Sequence, residues 1–156
     1  MNAMSKEKVE GSISSFVLVD ERLSVELILD GHHVPFNTST EIIKAIGNRV
    51  VLVTDAMAAA GCADGNYSIG KLAVKVQDSV ARLESNGALA GSTLTMYKAF
   101  SNAIDKCGVS IEQAVLMSST NPAKALGLKD RGSIAVGMRA DLLSYDSSLG
   151  SITVIS

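Results

Sequence analysis

Apolar and polar positions along this chain follow two different periods, and the switches between them mark out an α/β succession. Val25 to Leu29 (VELIL) reads as a buried strand, closed by Asp30-Gly31. Thr38-Ser39-Thr40-Glu41 has the spacing of a capping box and predicts a helix that runs to about Ile46 and stops at Gly47. Val50 to Thr54 (VVLVT) is a second strand. Its unbroken apolar run suits a strand covered on both faces, as in a parallel sheet. Strand, helix and strand in this order make a βαβ unit.

Beyond Asp55 the pattern loosens. Ala56 to Gly65 holds five alanines and two glycines, which predicts an irregular loop able to pass close to a ligand and outside the core. Leu72, Val74 and Val76 then alternate with Lys71, Lys75 and Gln77, the period of a half-exposed strand. Val80 to Leu83 is expected to pair beside it, ahead of an Asn86-Gly87 turn. Helical spacing returns over Thr93 to Cys107, with Leu94, Tyr97, Ala99, Phe100, Ala103 and Ile104 on one stripe and Gly108 as the stop. Ser110-Ile111-Glu112-Gln113 is a second capping box, for a helix to about Ser119. Asn121-Pro122 predicts a further short helix, capped by the asparagine and ended by Gly127. Asp141 to Tyr145 and Ile152 to Ile155 are strand candidates.

Composition narrows the class. The 156 residues suffice for one domain with a core, and 47% hydrophobic content argues against disorder. Basic residues are scattered and the net charge is -2, so no patch for nucleic acid or anionic lipid is expected. Aromatics are 4% with no Trp, which removes the base-stacking platforms of single-strand binders. Cys62 and Cys107 form no CxxC pair and are too few for a disulfide scaffold. No apolar run approaches the roughly 20 residues that cross a bilayer. Met1 to Glu10 is polar and lacks the apolar core of a secretory signal. These features predict a cytoplasmic protein whose partner is a small molecule or another chain, with a flexible end over 1–14.

Three segments carry candidate chemistry. Asp55 directly follows a buried strand, where α/β barrels place catalytic groups; an aspartate that caps the next turn would look the same. His32-His33, the only histidines, follow Asp30-Gly31 at the end of the preceding strand. In extended backbone, adjacent side chains point apart, so the two do not readily share one metal. Leu89-Ala90-Gly91-Ser92 is made of small residues ahead of a helix, where backbone N–H groups can face a ligand oxygen, or simply form a strand-to-helix turn. A catalytic zinc takes about three protein ligands. With no HExxH and no HxH, Asp55 and one usable histidine fall short of a site.

Together these segments resemble the N-acetylglucosamine-6-phosphate deacetylases of the amidohydrolase superfamily. The resemblance rests on Val25 to Val34 (VELILDGHHV), Leu52 to Gly61 (LVTDAMAAAG) and Leu89 to Met96 (LAGSTLTM). Gly132-Ser133-Ile134 through Gly137-Met138-Arg139-Ala140-Asp141-Leu142 is similar to a tail common to the superfamily. The resemblance implies an α/β fold: the C-terminal portion of a (β/α)8 TIM-type barrel, with its last two strands and helices, over 15–131. Over 132–156 it implies returning strands of a small β-sandwich. Asp55 would act as general base toward a metal-bound water and then as general acid toward the departing amine. His33 would contact the sugar, Asp30, Gly31 and His32 would shape the same edge, and Leu89, Ala90 and Gly91 would line the substrate through their backbone. The implied cofactor is a divalent metal, zinc by expectation. Its implied ligands, a glutamate and two histidines, belong to earlier barrel strands, so this chain alone is not expected to bind it or to be active.

A barrel of this kind takes about 250 residues. Two barrel strands leave open edges, and open edges pair with other chains. The resemblance implies an amino-sugar phosphate as partner, and the open edges lead to the expectation of either further copies of this chain or a separate front half. Two other readings stand beside the catalytic one: a non-catalytic remnant that folds as an oligomerising module, and an amidohydrolase for a different amide.

Overall fold

The computed structural model describes residues 13–155, so the flexible end expected over 1–14 lies outside the described residues except at its last two positions. The centre of the molecule is a parallel pair, β1 (Val25–Ile28) and β2 (Val50–Val53), in register from Val25 opposite Val50 to Ile28 opposite Val53. Val25, Leu27, Val50 and Leu52 are all buried; the unbroken apolar run of β2 suits this, whereas β1 turns Glu26 outward. Helix α1 (Ile13–Val19), which hydropathy did not reveal, precedes β1. Arg49, at the entry to β2, gathers the carbonyls of Val17, Asp20 and Leu23 at 3.1, 2.9 and 2.6 Å and so closes the C-terminal end of α1.

The crossover helix α2 (Phe36–Ile46) begins two residues before the expected cap. Pro35, with φ -54, launches it, and the N–H of Ser39 donates to Pro35 O at 2.9 Å. Thr38 therefore lies inside the helix and does not cap it. The reason is packing: Phe36 must lie against Gly31, and Ile43 and Ile46 must reach the sheet. Gly47, at φ 60, ends α2 where the sequence placed the stop.

A small antiparallel sheet follows the β2 loop: β3 (Gly65–Ile69), β4 (Leu72–Gln77) and β5 (Val80–Leu83), ordered β3-β4-β5. β4 and β5 match the alternation, whereas β3, half polar, gives no such signal. The expectation that Ala56 to Gly65 stays out of any core needs correction. Ala59 is 1% exposed and packs with Val74, Val76, Ala81 and Ala90 in a second cluster, because an alanine fits where the loop crosses this sheet closely.

Helix α3 (Met96–Cys107) starts later than Thr93, because Thr95 Oγ1 accepts from the Lys98 N–H at 3.2 Å and caps it. Its buried face, Ala99, Phe100, Ala103 and Cys107, completes the main core. Ser110 caps α4 (Ile111–Val115) as the capping box predicts, accepting from the Gln113 N–H at 3.2 Å. The chain then runs through a π-turn (Leu116–Thr120) into α5 (Asn121–Ala125) without a break. Asn121 is thus helical and not a cap. Its amide donates instead to Val50 O at 2.7 Å, a buried-edge partner worth more than a terminal one. Strands β6 (Leu142–Asp146) and β7 (Ser151–Ile155) form an antiparallel hairpin. It rests on the core through Ile152 and through Tyr145, whose ring meets Phe100 edge-on at 5.1 Å. Among the described residues, no helix is long and apolar enough to cross a membrane.

Candidate active site

Parallel pairing sends β1 and β2 out at the same end of the sheet, and each is followed two residues later by an aspartate, Asp30 and Asp55. In open parallel α/β sheets this is the end that carries ligands.

After β1 the chain folds on the Asp30 side chain. One carboxylate oxygen accepts the N–H groups of His32 and His33 at 2.8 and 2.9 Å. The other lies 2.7 Å from His33 Nδ1. Burial opposes the ionised form of Asp30, but the His33 N–H, the His33 ring and the His32 N–H together outweigh it and hold the carboxyl below the usual range. His33 is buried, with 6% exposed, whereas His32 is exposed; the backbone here bends and is not the extended run on which the expectation for the two rings rested. Gly31 sits at φ 81, and a Cβ there would meet the Phe36 ring at 2.6 Å, so glycine is required on two counts.

After β2, Asp55 adopts φ 48, a left-handed conformation that costs a non-glycine residue energy and recurs at functional positions. Its side chain is exposed. Its backbone is clamped by the LAGS segment: the Ser92 N–H donates to Asp55 O at 2.8 Å and the Met57 N–H to Ser92 O at 2.9 Å. Ala56 and Ser92 form a parallel bridge, so the segment extends the β1–β2 sheet by one more rung. The Ser92 hydroxyl donates to Thr54 O and accepts from the Leu94 N–H. Gly91, at φ 62, passes so close that a Cβ would stand 3.0 Å from Asp55 O.

The LAGS segment differs from the expected helix-terminal cradle. Helix α3 begins at Met96, and the N–H groups of Ala90 and Ser92 are already given to Ala81 O and Asp55 O. Leu89 pairs antiparallel with Arg82. The segment therefore ties the small sheet to the end of β2, and Ser92, 3% exposed and outside the implied substrate-lining set, makes that tie.

Asp30, His32 and His33 thus form one hydrogen-bonded unit, and Asp55, Met57 and Ser92 another, at neighbouring strand ends. A cleft of about 270 Å³ is lined by Lys75 and Arg82, and one of about 210 Å³ by Lys44 and Cys107. Neither includes Asp30, His33 or Asp55. Among the described residues, no group of three or more His, Cys, Asp or Glu is placed to hold a metal ion. His33 Nδ1 is engaged by Asp30 and His32 faces away, so the residues present do not fit a catalytic metal.

Residues 25–154 match the Amidohydrolase family. The chain belongs to that family, whose members are hydrolases generally dependent on a metal. Within it, the chain resembles the deacetylases of N-acetylated amino-sugar phosphates. It is 41% identical over 124 residues to the N-acetylglucosamine-6-phosphate deacetylase of Vibrio furnissii, covering 79% of this chain and 31% of that protein. It is equally 41% identical over 133 residues to the putative N-acetylgalactosamine-6-phosphate deacetylase of Escherichia coli K12, covering 85% of this chain and 79% of that one. The crystal structure of the N-acetylglucosamine-6-phosphate deacetylase of Thermotoga maritima superposes with a TM-score of 0.85 at 42% identity, over 92% of this chain and 40% of that chain. A Mycobacterium smegmatis deacetylase with an aspartate changed to alanine, in complex with N-acetyl-D-glucosamine-6-phosphate, superposes with a TM-score of 0.81 at 39% identity, over 89% of this chain and 38% of that one. The chain spans under half the length of both solved structures and about a third of the Vibrio relative.

Proposed function

We propose that this chain carries the acid–base aspartate and part of the sugar-binding edge of an N-acetylglucosamine-6-phosphate deacetylase. The observation that carries the reading is Asp55, held left-handed at the carboxyl end of β2 by the Ser92 clamp with its side chain exposed. In this reading 15–131 is part of a TIM-type barrel and 132–156 part of a small β-sandwich. Asp55 takes a proton from water as the water oxygen attacks the acetamide carbonyl. It returns the proton to nitrogen as the C–N bond breaks, giving glucosamine 6-phosphate and acetate. An amine leaves only when protonated, and one carboxylate can serve both transfers. His33 contacts the sugar, Asp30, Gly31 and His32 shape that edge, and Leu89, Ala90 and Gly91 line the substrate with the backbone groups left to them.

The described residues do not supply the donors for the family's metal, so the chain by itself is expected to release no acetate. The equal identity to a galactosamine-type relative favours a second reading that differs only in the sugar. Acetate release from N-acetylglucosamine 6-phosphate and N-acetylgalactosamine 6-phosphate, with zinc added, tests both for the chain and its Asp55→Asn variant. Neither protein is expected to release acetate. Equal release by the two proteins would overturn the role of Asp55. Release by the unmodified chain alone would overturn its expected inactivity and place Asp55 in a complete site.

A further inference from the structure

The two oxygens of one carboxylate grip both the main chain and the ring of His33. Asp30 Oδ1 takes the His32 and His33 N–H groups at 2.8 and 2.9 Å, and Oδ2 lies 2.7 Å from Nδ1 of the His33 ring. With Oδ1 committed to two backbone donors, the carboxylate cannot turn away from the ring. Gly31 between them sits at φ 81, where a Cβ would meet the Phe36 ring, so the turn is built for glycine.

The far side of the ring is different. His33 Nε2 makes no hydrogen bond to any described residue, although the side chain is only 7% exposed. Yet among the described residues no buried side-chain nitrogen or oxygen lacks a partner. Nε2 is therefore the polar atom through which this otherwise sealed ring meets solvent.

We infer that Asp30 is a positioning residue: it holds the proton of the neutral His33 ring on Nδ1 and so presents Nε2 as a bare lone pair, an acceptor for a hydroxyl of the bound ligand. An ionised carboxylate only accepts, so the ring nitrogen facing it must donate. A neutral imidazole has one N–H, and spending it on Asp30 leaves Nε2 without a proton. The ligand group that suits this atom is a donor such as a sugar hydroxyl. An anionic oxygen would need the proton on Nε2. The ligand assignment rests on the proposed reading that His33 faces the sugar; the tautomer does not.

Long-range proton–nitrogen correlation spectra of the ¹⁵N-labelled chain at pH 8 test it without substrate. The chain has two histidines, and a His32→Gln variant assigns the rings. The expected result is a protonated Nδ1 and a bare Nε2 for His33. In Asp30→Asn the asparagine amide faces Nδ1 as a donor, and the proton is expected to move to Nε2. A proton on Nε2 in the unmodified chain, or the same pattern in both proteins, would overturn the inference. Should Asp30→Asn fail to fold, the spectrum of the unmodified chain still decides. Failure of the deacetylase reading would leave these spectra unchanged, so the two can fail separately.

Discussion

Gly31 and Asp30 show how much one residue at a strand end can fix. A Cβ at Gly31 would collide with the Phe36 ring in a backbone conformation that already disfavours it. Gly31→Ala is expected to lower stability by about 1–3 kcal/mol, the cost of such strained positions, read from urea unfolding; unchanged stability would show that Phe36 yields freely. Asp30 adds a pH dependence whose sign follows from its lowered pKa. A carboxyl with a folded pKa below its unfolded value of about 3.9 contributes stability above that value. The contribution is lost as pH falls through the folded pKa. Unfolding free energies below pH 5 should therefore fall more steeply for the unmodified chain than for Asp30→Asn, and parallel curves would contradict this. Asp55 and the Asp30 to His33 run were legible because each follows a buried strand directly. The Asp30–His33 pairing was not, since an Asx-type turn looks like any Asp-Gly strand end until the side chains are placed.

At the scale of elements, two asparagines, Asn102 buried and Asn121 partly buried, bind helices to the sheet. Asn102 of α3 donates to Leu29 O at 2.8 Å, and Asn121 of α5 donates to Val50 O at 2.7 Å. Removing either side chain leaves a carbonyl at the sheet without its side-chain partner, which costs about 1–3 kcal/mol. Asn121→Ala is expected to lose that much in urea unfolding, whereas an asparagine acting only as a solvent-exposed cap would lose less. The same residue explains a misreading. Asn-Pro is a strong helix-start signal, but here a continuous helix with a π-turn brings Asn121 round to β2. Thr38 misled in the same way: its capping-box spacing is real, yet Phe36 has to reach Gly31, and α2 starts where Pro35 allows. The strands β1, β2, β4 and β5 were legible through period and apolar run. β3 was not, because none of its residues is buried and its pairing with β4 leaves no apolar period in the sequence.

For the whole molecule, the parallel sheet has only β1 and β2 as named strands, joined at one rung by Ala56 and Ser92. Among the described residues, the far edge of β1 has no partner strand. Leu143 and Val154, opposite each other on the β6–β7 hairpin, are 63% and 70% exposed. An unpaired strand edge and an exposed apolar hairpin face of this kind pair readily with further chain. The sequence disclosed the class of molecule through strand-end motifs, but not how the small sheet, the LAGS segment and β2 lock together, because those contacts join residues far apart in the chain.

The central claim is that this chain supplies the catalytic aspartate and its setting to such a deacetylase. It is tested most directly by transplanting residues 25–154 in place of the matching part of the Thermotoga maritima enzyme and measuring deacetylation of N-acetylglucosamine 6-phosphate. The folded chimera is expected to be active, and its Asp55→Asn form to lose about 10²- to 10⁴-fold in kcat, the usual worth of an acid–base group. A folded chimera that is inactive, or one whose activity survives Asp55→Asn, would contradict the claim.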